Sequence, residues 1–223
     1  MKTFRVLGAL LSYPEPALIA ALPELGQVLD AEGLLARKER AALGALIAEL
    51  GRGELMSLQE RYVGLFDRSR ALSLHLFEHV HGESRDRGQA MVDLNRLYQS
   101  HGYALAGNEL PDFLPAVLEY ASCRPLAEGR ALLADMAHIL QALGARLAQR
   151  ASGYSAALAA LVRLAGEQPA FEAASGGAAA GDEDVSALDE AWAEPPAFGE
   201  CSGGKPGGAP VAPVRFYPKG ATR

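Results

Sequence analysis

The sequence predicts an all-α fold: a single compact helical bundle of about eight to nine helices over residues 1–165, with a disordered C-terminal tail over 166–223. Three observations carry this expectation. The first 165 residues are rich in Ala, Leu, Arg and Glu, which give up little conformational freedom in a helix. No stretch alternates apolar and polar residues for long enough to make a strand. Composition changes at Gly166: residues 166–223 hold 10 of the 24 glycines and 7 of the 13 prolines, with nine acidic and four basic side chains. Such a segment buries too little apolar surface to offset the entropy of ordering it.

Taken in order, the apolar spacing places helices near 2–12, 15–29, 35–50, 54–66, 70–81, 85–101, 111–122, 126–150 and 153–165. Ser12 to Pro16 breaks the chain after the first helix, Gly51 and Gly53 after the third, and Gly107 to Pro111 before the seventh. Pro111 and Pro125 fall early in their helices, where the missing N–H costs nothing. Ser84 can cap the helix that starts at Arg85, and Asp86 in its first turn favours the positive end of the dipole. On that helix Ala90, Met91, Leu94, Leu97 and Tyr98 form the buried face, opposite Arg85, Asp86, Gln89, Asp93 and Arg96. Within the tail, Val185, Leu188 and Trp192 fall at helical spacing and mark a segment able to dock as a short helix.

Bulk properties narrow the function. Apolar residues make up 49% of the 223, enough for a substantial core. The net charge of −6 disfavours nucleic acid as a partner, because phosphate binding needs a basic surface. Cys123 and Cys201 stand far apart and form no disulfide framework, which fits a reducing compartment. No signal peptide and no run of ~20 apolar residues is visible, so the chain is expected to stay in the cytoplasm without inserting into a membrane.

One stretch poses a chemical question. Residues 75–88 pack three histidines, two glutamates, two arginines and an aspartate into fourteen positions. His75, Glu78 and His79 spell the H-x-x-E-H signature of inverted zinc peptidases, in which two histidines hold the metal and the glutamate is the base. On a helix over 70–81 these three share one arc, with Leu72, Leu76, Phe77 and Val80 on the other. A zinc site needs a third ligand, and nothing in the sequence singles one out. The competing reading makes the three a polar helix face that hydrogen-bonds to the following loop, with no metal and no catalytic residue.

Three stretches together carry a family resemblance: residues 58–94, 109–120 and 188–199. Tyr62, Leu65 and Phe66 match an aromatic-x-x-Leu-Phe pattern, and Glu109 and Asp112 match an acidic E-x-x-D signature. Phe113 stands where many members have histidine or tyrosine. The chain resembles the NarJ-type chaperones of respiratory nitrate reductase, its delta subunit, within the TorD-like redox-enzyme maturation proteins. The resemblance implies an all-α chaperone rather than an enzyme. Its partner would be the catalytic (alpha) subunit of respiratory nitrate reductase, held by an N-terminal peptide in the cytoplasm. The chaperone would assist insertion of the molybdenum cofactor, a bis(molybdopterin guanine dinucleotide), without binding it stably, and delay membrane attachment until then.

A peptide helix lays its apolar face into a groove with a polar rim. Tyr62, Leu65, Phe66, Leu114 and Tyr120 are the groove candidates. Glu78, His79, Glu83, Arg85, Asp86, Arg87, Gln89, Glu109 and Asp112 are the rim candidates. Each of the apolar side chains fits an ordinary core equally well, and Glu109 and Asp112 could equally cap the helix that follows. Without the resemblance, the residues alone give a generic helical interaction scaffold.

Overall fold

A computed structural model of the chain describes residues 1–81, 85–105 and 109–174. Helix α1 (Lys2–Leu10) buries Thr3, Phe4, Val6, Leu7, Gly8 and Leu10, so it is buried almost all round. Such a helix belongs inside, and α1 packs on both α2 (Pro16–Glu32) and α7 (Leu114–Ser122). A side chain at position 8 would meet the Pro115 carbonyl at 3.2 Å, so Gly8 lets α1 and α7 approach closely. The Glu32 carboxylate at the end of α2 accepts from the Lys2 N–H at 2.9 Å and from Thr3, satisfying donors that a helix start leaves open.

Helix α3 (Arg37–Arg52) packs on α2 and on α10 (Ser155–Leu164). Ser155 through Val162 are all buried in α10, whose alanines let neighbouring helices close in. Helix α4 (Leu55–Tyr62) runs into a π-helical turn, Val63–Asp67. Across this junction Tyr62 and Phe66 both reach the core, with ring centroids 4.8 Å apart, and Phe66 meets Tyr154 at 5.1 Å. The Tyr62 hydroxyl donates to the Leu11 carbonyl at 2.9 Å. A short helix α5 (Leu76–Val80), α6 (Arg85–Ser100), α8 (Leu126–Asp135) and α9 (Ala137–Gln149) complete the described set.

The all-α expectation holds, but four spans differ from those the periodicity predicts. The expected helix over 70–81 is a 3-10 turn at Arg70–Leu72, an extended stretch, and then α5. His75 pairs with Phe113 in an isolated antiparallel bridge, with the Leu114 N–H on the Leu74 carbonyl at 2.9 Å and the Leu76 N–H on the Asp112 carbonyl at 3.1 Å. These long-range bonds replace the local helical ones. For the same reason α7 starts at Leu114 rather than at 111, so Pro111 lies outside the helix. The expected 54–66 helix ends in the π-turn. The expected 126–150 helix breaks at Met136, with no glycine or proline there: α8 packs on α7 as well as on α10, whereas α9 packs on α10 and on the Arg70–Leu72 turn. The folded part also extends past 165: Phe171 and Ala173 pack on the core. Ser84, Glu83, Trp192 and the rest of the expected tail from 175 lie outside the described residues.

One turn carries a correctable strain. After α9 the Ser152 N–H bonds the Leu147 carbonyl and the Ala151 N–H bonds Ala148, each at 2.9 Å, a pattern that puts Ala151 in the left-handed region at φ 51°. A side chain there costs ~1–2 kcal/mol, partly offset in a glycine by its greater freedom when unfolded. Ala151→Gly is therefore expected to raise stability by about 0.5–1 kcal/mol. Urea denaturation reads this directly, and an unchanged or lower midpoint would count against it.

Candidate functional site

The crossing of residues 73–77 with 110–114 organises the polar candidates. Asp112 is fully buried at its centre. Its Oδ2 accepts the Phe77 N–H at 3.0 Å, and its Oδ1 faces His75 Nδ1 at 3.4 Å. Phe77 lies in the first turn of α5, so this carboxylate satisfies a donor that no residue of α5 itself reaches. Asp112 does not cap α7, whose N-cap is Phe113 without a side-chain bond. Phe113 lies beside the His75 ring, 5.3 Å between centroids, an apolar contact against the imidazole.

The remaining members tie α5 and α6 to this crossing. The His79 Nε2–H donates to the Ser73 carbonyl at 2.8 Å, fixing which ring nitrogen carries the proton. Arg87 on α6 donates to Glu78 on α5 at 3.1 Å. The Tyr98 hydroxyl donates to the Pro111 carbonyl at 2.8 Å, and the burial of this side chain pushes its phenol well above the ordinary range. Tyr120 on α7 hydrogen-bonds His101 at 2.8 Å. Helix α6 is thus held near both ends, while Tyr98 is its only buried residue.

The H-x-x-E-H residues therefore do not converge. His75 is not helical, with φ −84° and ψ 104°, and its ring turns to Asp112. Glu78 is taken by Arg87 and His79 by a backbone carbonyl. Among the described residues no three His, Cys, Asp or Glu side chains are grouped to hold a metal. The shared arc on which the zinc alternative depends does not form.

Of the other candidates, Tyr62, Phe66, Leu114 and Tyr120 are buried, and Leu65 packs against the core half-buried. Arg85, Asp86, Gln89 and Glu109 are exposed. Gln89 bonds Asp93 on its own helix at 2.9 Å. Glu83 lies outside the described residues. Sequence reasoning missed a different set. Seven large apolar side chains are exposed among the described residues, and five of them, Val80, Val92, Leu97, Tyr103 and Leu110, fall between 80 and 110. The periodicity places Leu97 and Val80 on buried apolar faces; of the face expected on α6 only Tyr98 is buried, and Leu97 is exposed.

The His75–Asp112 pair makes a pH-dependent contribution. The Asp112 hydrogen bond raises the His75 pKa above its ordinary 6.5, against the opposing effect of burial. A raised histidine pKa stabilises the fold fully below about pH 6.5 and loses that contribution as pH climbs through the folded value. The stability difference between wild type and His75→Gln should therefore shrink as pH is raised from below about 6.5 into the alkaline range. Urea midpoints for the two chains across that range test it; a constant difference would show that the charge contributes nothing.

Comparison with known proteins follows the same segments. The family model described as "Nitrate reductase delta subunit" matches residues 22–160. The chain is 42% identical over 191 residues to the Escherichia coli K12 protein named "Nitrate reductase molybdenum cofactor assembly chaperone NarJ", covering 85% of this chain and 81% of that one. It is 38% identical over 196 residues to the "Probable nitrate reductase molybdenum cofactor assembly chaperone NarW" of the same organism, covering 87% and 82%. A third relative, the "Nitrate reductase-like protein NarX" of Mycobacterium tuberculosis, is 33% identical over 150 residues, which are 66% of this chain and 23% of that protein. The first two are named for assembly rather than for catalysis. With the family model spanning α3 to α9 and relatives matching most of the chain, this protein belongs to the nitrate reductase delta subunit family.

Proposed function

We propose that the chain is a cytoplasmic assembly chaperone of respiratory nitrate reductase, and that it binds the N-terminal segment of the catalytic subunit. It holds that segment while the molybdenum cofactor is inserted and delays membrane attachment until then. The observation that carries this reading is the 42% identity to NarJ over most of both chains. The surface chemistry supports it. An amphipathic peptide needs exposed apolar side chains beside polar ones, and residues 80–110 offer Val80, Val92, Leu97, Tyr103 and Leu110 beside Arg85, Asp86 and Glu109. In this reading the buried Tyr62, Phe66, Leu114 and Asp112 build the support, and α5–α6 meets the partner.

Calorimetry with synthetic peptides from the N-terminus of the catalytic subunit tests the proposal. One peptide should bind per chain. Replacing Arg85 and Arg87 together with alanine should weaken that binding by more than it lowers the melting temperature. Absence of binding to the wild-type chain would overturn the reading, and equal affinity in the double variant would remove the two arginines from the site.

A further inference from the structure

We infer that the α9–α10 face around Gly144 is a second peptide-docking surface, occupied in this structure by the chain's own residues 167–174. Its occupant is a short segment that bends at Ala170 and Phe171 and carries one aromatic side chain. Gly166, at φ 92°, reverses the chain after α10, with the Glu167 N–H on the Val162 carbonyl at 3.1 Å and the Gly166 N–H on Arg163 at 3.0 Å. The returning segment is gripped mainly through its backbone. Gln141 donates from Nε2 to the Gln168 carbonyl at 2.7 Å and accepts the Ala170 N–H on Oε1 at 2.9 Å. Ser155 Oγ accepts the Ala174 N–H at 2.9 Å. One side-chain amide thus reads both a C=O and an N–H of the strap, whatever its side chains are.

Selectivity comes from a single ring. Phe171 lies over Gly144 so closely that any side chain at position 144 would overlap it. Main-chain bonds for affinity with one shaped contact for choice is a recurring way for surfaces to bind peptides. The strap itself is lightly held: Glu167, Gln168, Ala170 and Glu172 are exposed. Segments with few buried contacts open at low free-energy cost, so this one can be exchanged for another peptide of the same chemistry.

The first test needs no client. The peptide Glu-Gln-Pro-Ala-Phe-Glu-Ala-Ala, residues 167–174, is titrated into the 15N-labelled full chain carrying Phe171→Ala. The Gln141 and Gly144 amide resonances should shift and saturate at low-millimolar peptide, the range set by the effective concentration of a short tether. The same peptide with Ala for Phe should cause no shift, and Gln141→Ala in the protein should weaken the effect several-fold. No shift by about 10 mM, or equal shifts from both peptides, would overturn the inference. A second test rests on the function proposed above. If the client segment uses this face, Phe171→Ala should bind its peptide about tenfold tighter than wild type, whereas Gly144→Val, which fills the ring's place, should not. Equal affinity in wild type and Phe171→Ala would exclude exchange with the client. Failure of every chain to bind the client peptide would count against the chaperone reading alone, and the strap peptide would still decide the surface.

Discussion

Replacing Asp112 with alanine is expected to destabilise the protein by about 3 kcal/mol. The carboxylate is fully buried and accepts a backbone N–H from Phe77 at 3.0 Å while facing the His75 ring. Truncation leaves that N–H without an acceptor and strips the histidine of its counter-charge. Losing a charged acceptor to a buried donor costs ~1–3 kcal/mol, and the orphaned ring adds to it. The backbone bond from Leu76 to the Asp112 carbonyl survives the change, so the crossing loosens rather than disappears. Helix α5 has only five residues, too few to persist alone, and it should open first. Asp112→Asn keeps an acceptor for Phe77 and should cost about half as much. Urea denaturation gives the magnitudes, and hydrogen exchange should show lost protection in α5 and α6 before the rest. A loss below ~1 kcal/mol for the alanine variant would mean that water replaces the carboxylate.

The long periodic helices were legible because their pattern is local. The expected 35–50 and 85–101 are found at Arg37–Arg52 and Arg85–Ser100. Residues 70–81 failed for the opposite reason. Their apolar spacing is helical, but Leu74 and Leu76 bond with residues 112 and 114, and no window along the chain contains both partners. Met136 is a similar case, since no residue near it breaks a helix and the break follows from what α8 and α9 each pack against.

The site was legible by identity and not by role. Asp112 stood out in the acidic signature, read as a helix cap or as part of a groove rim; its partners are instead Phe77 and His75, about 35 positions earlier. His75, Glu78 and His79 stood out as a metal pattern, and that pattern depended on a helix that begins only at Leu76. Tyr62 and Phe66 matched a family pattern, but their place in the core is set by Tyr154, which no local reading reaches. Exposed Val80, Val92 and Leu97 were the least legible, because exposure is the absence of a neighbour and leaves no mark in composition.

A chain that begins at Pro16 is expected not to fold, although the family model starts only at residue 22. The lost segment carries Phe4, Leu7, Leu10 and Leu11, all fully buried, and Val6 at 3% exposure. Each such side chain contributes ~1.5–3 kcal/mol, so the five together are worth roughly 7–15 kcal/mol. Total stability for a domain is about 5–15 kcal/mol, and no reserve is left. The damage also reaches the site. Tyr62 loses its acceptor on Leu11, and α7, which leads out of the Asp112 crossing, loses the helix packed against it. A single Leu7→Ala change should cost ~2–5 kcal/mol and leave a folded but weakened chain. Far-UV circular dichroism and a thermal melt separate the outcomes: the full chain and Leu7→Ala should unfold cooperatively, and the chain from Pro16 should show no transition. A cooperative melt in the truncated chain would mean that α2 to α10 form a core without α1, and that the buried face of α7 can find another cover.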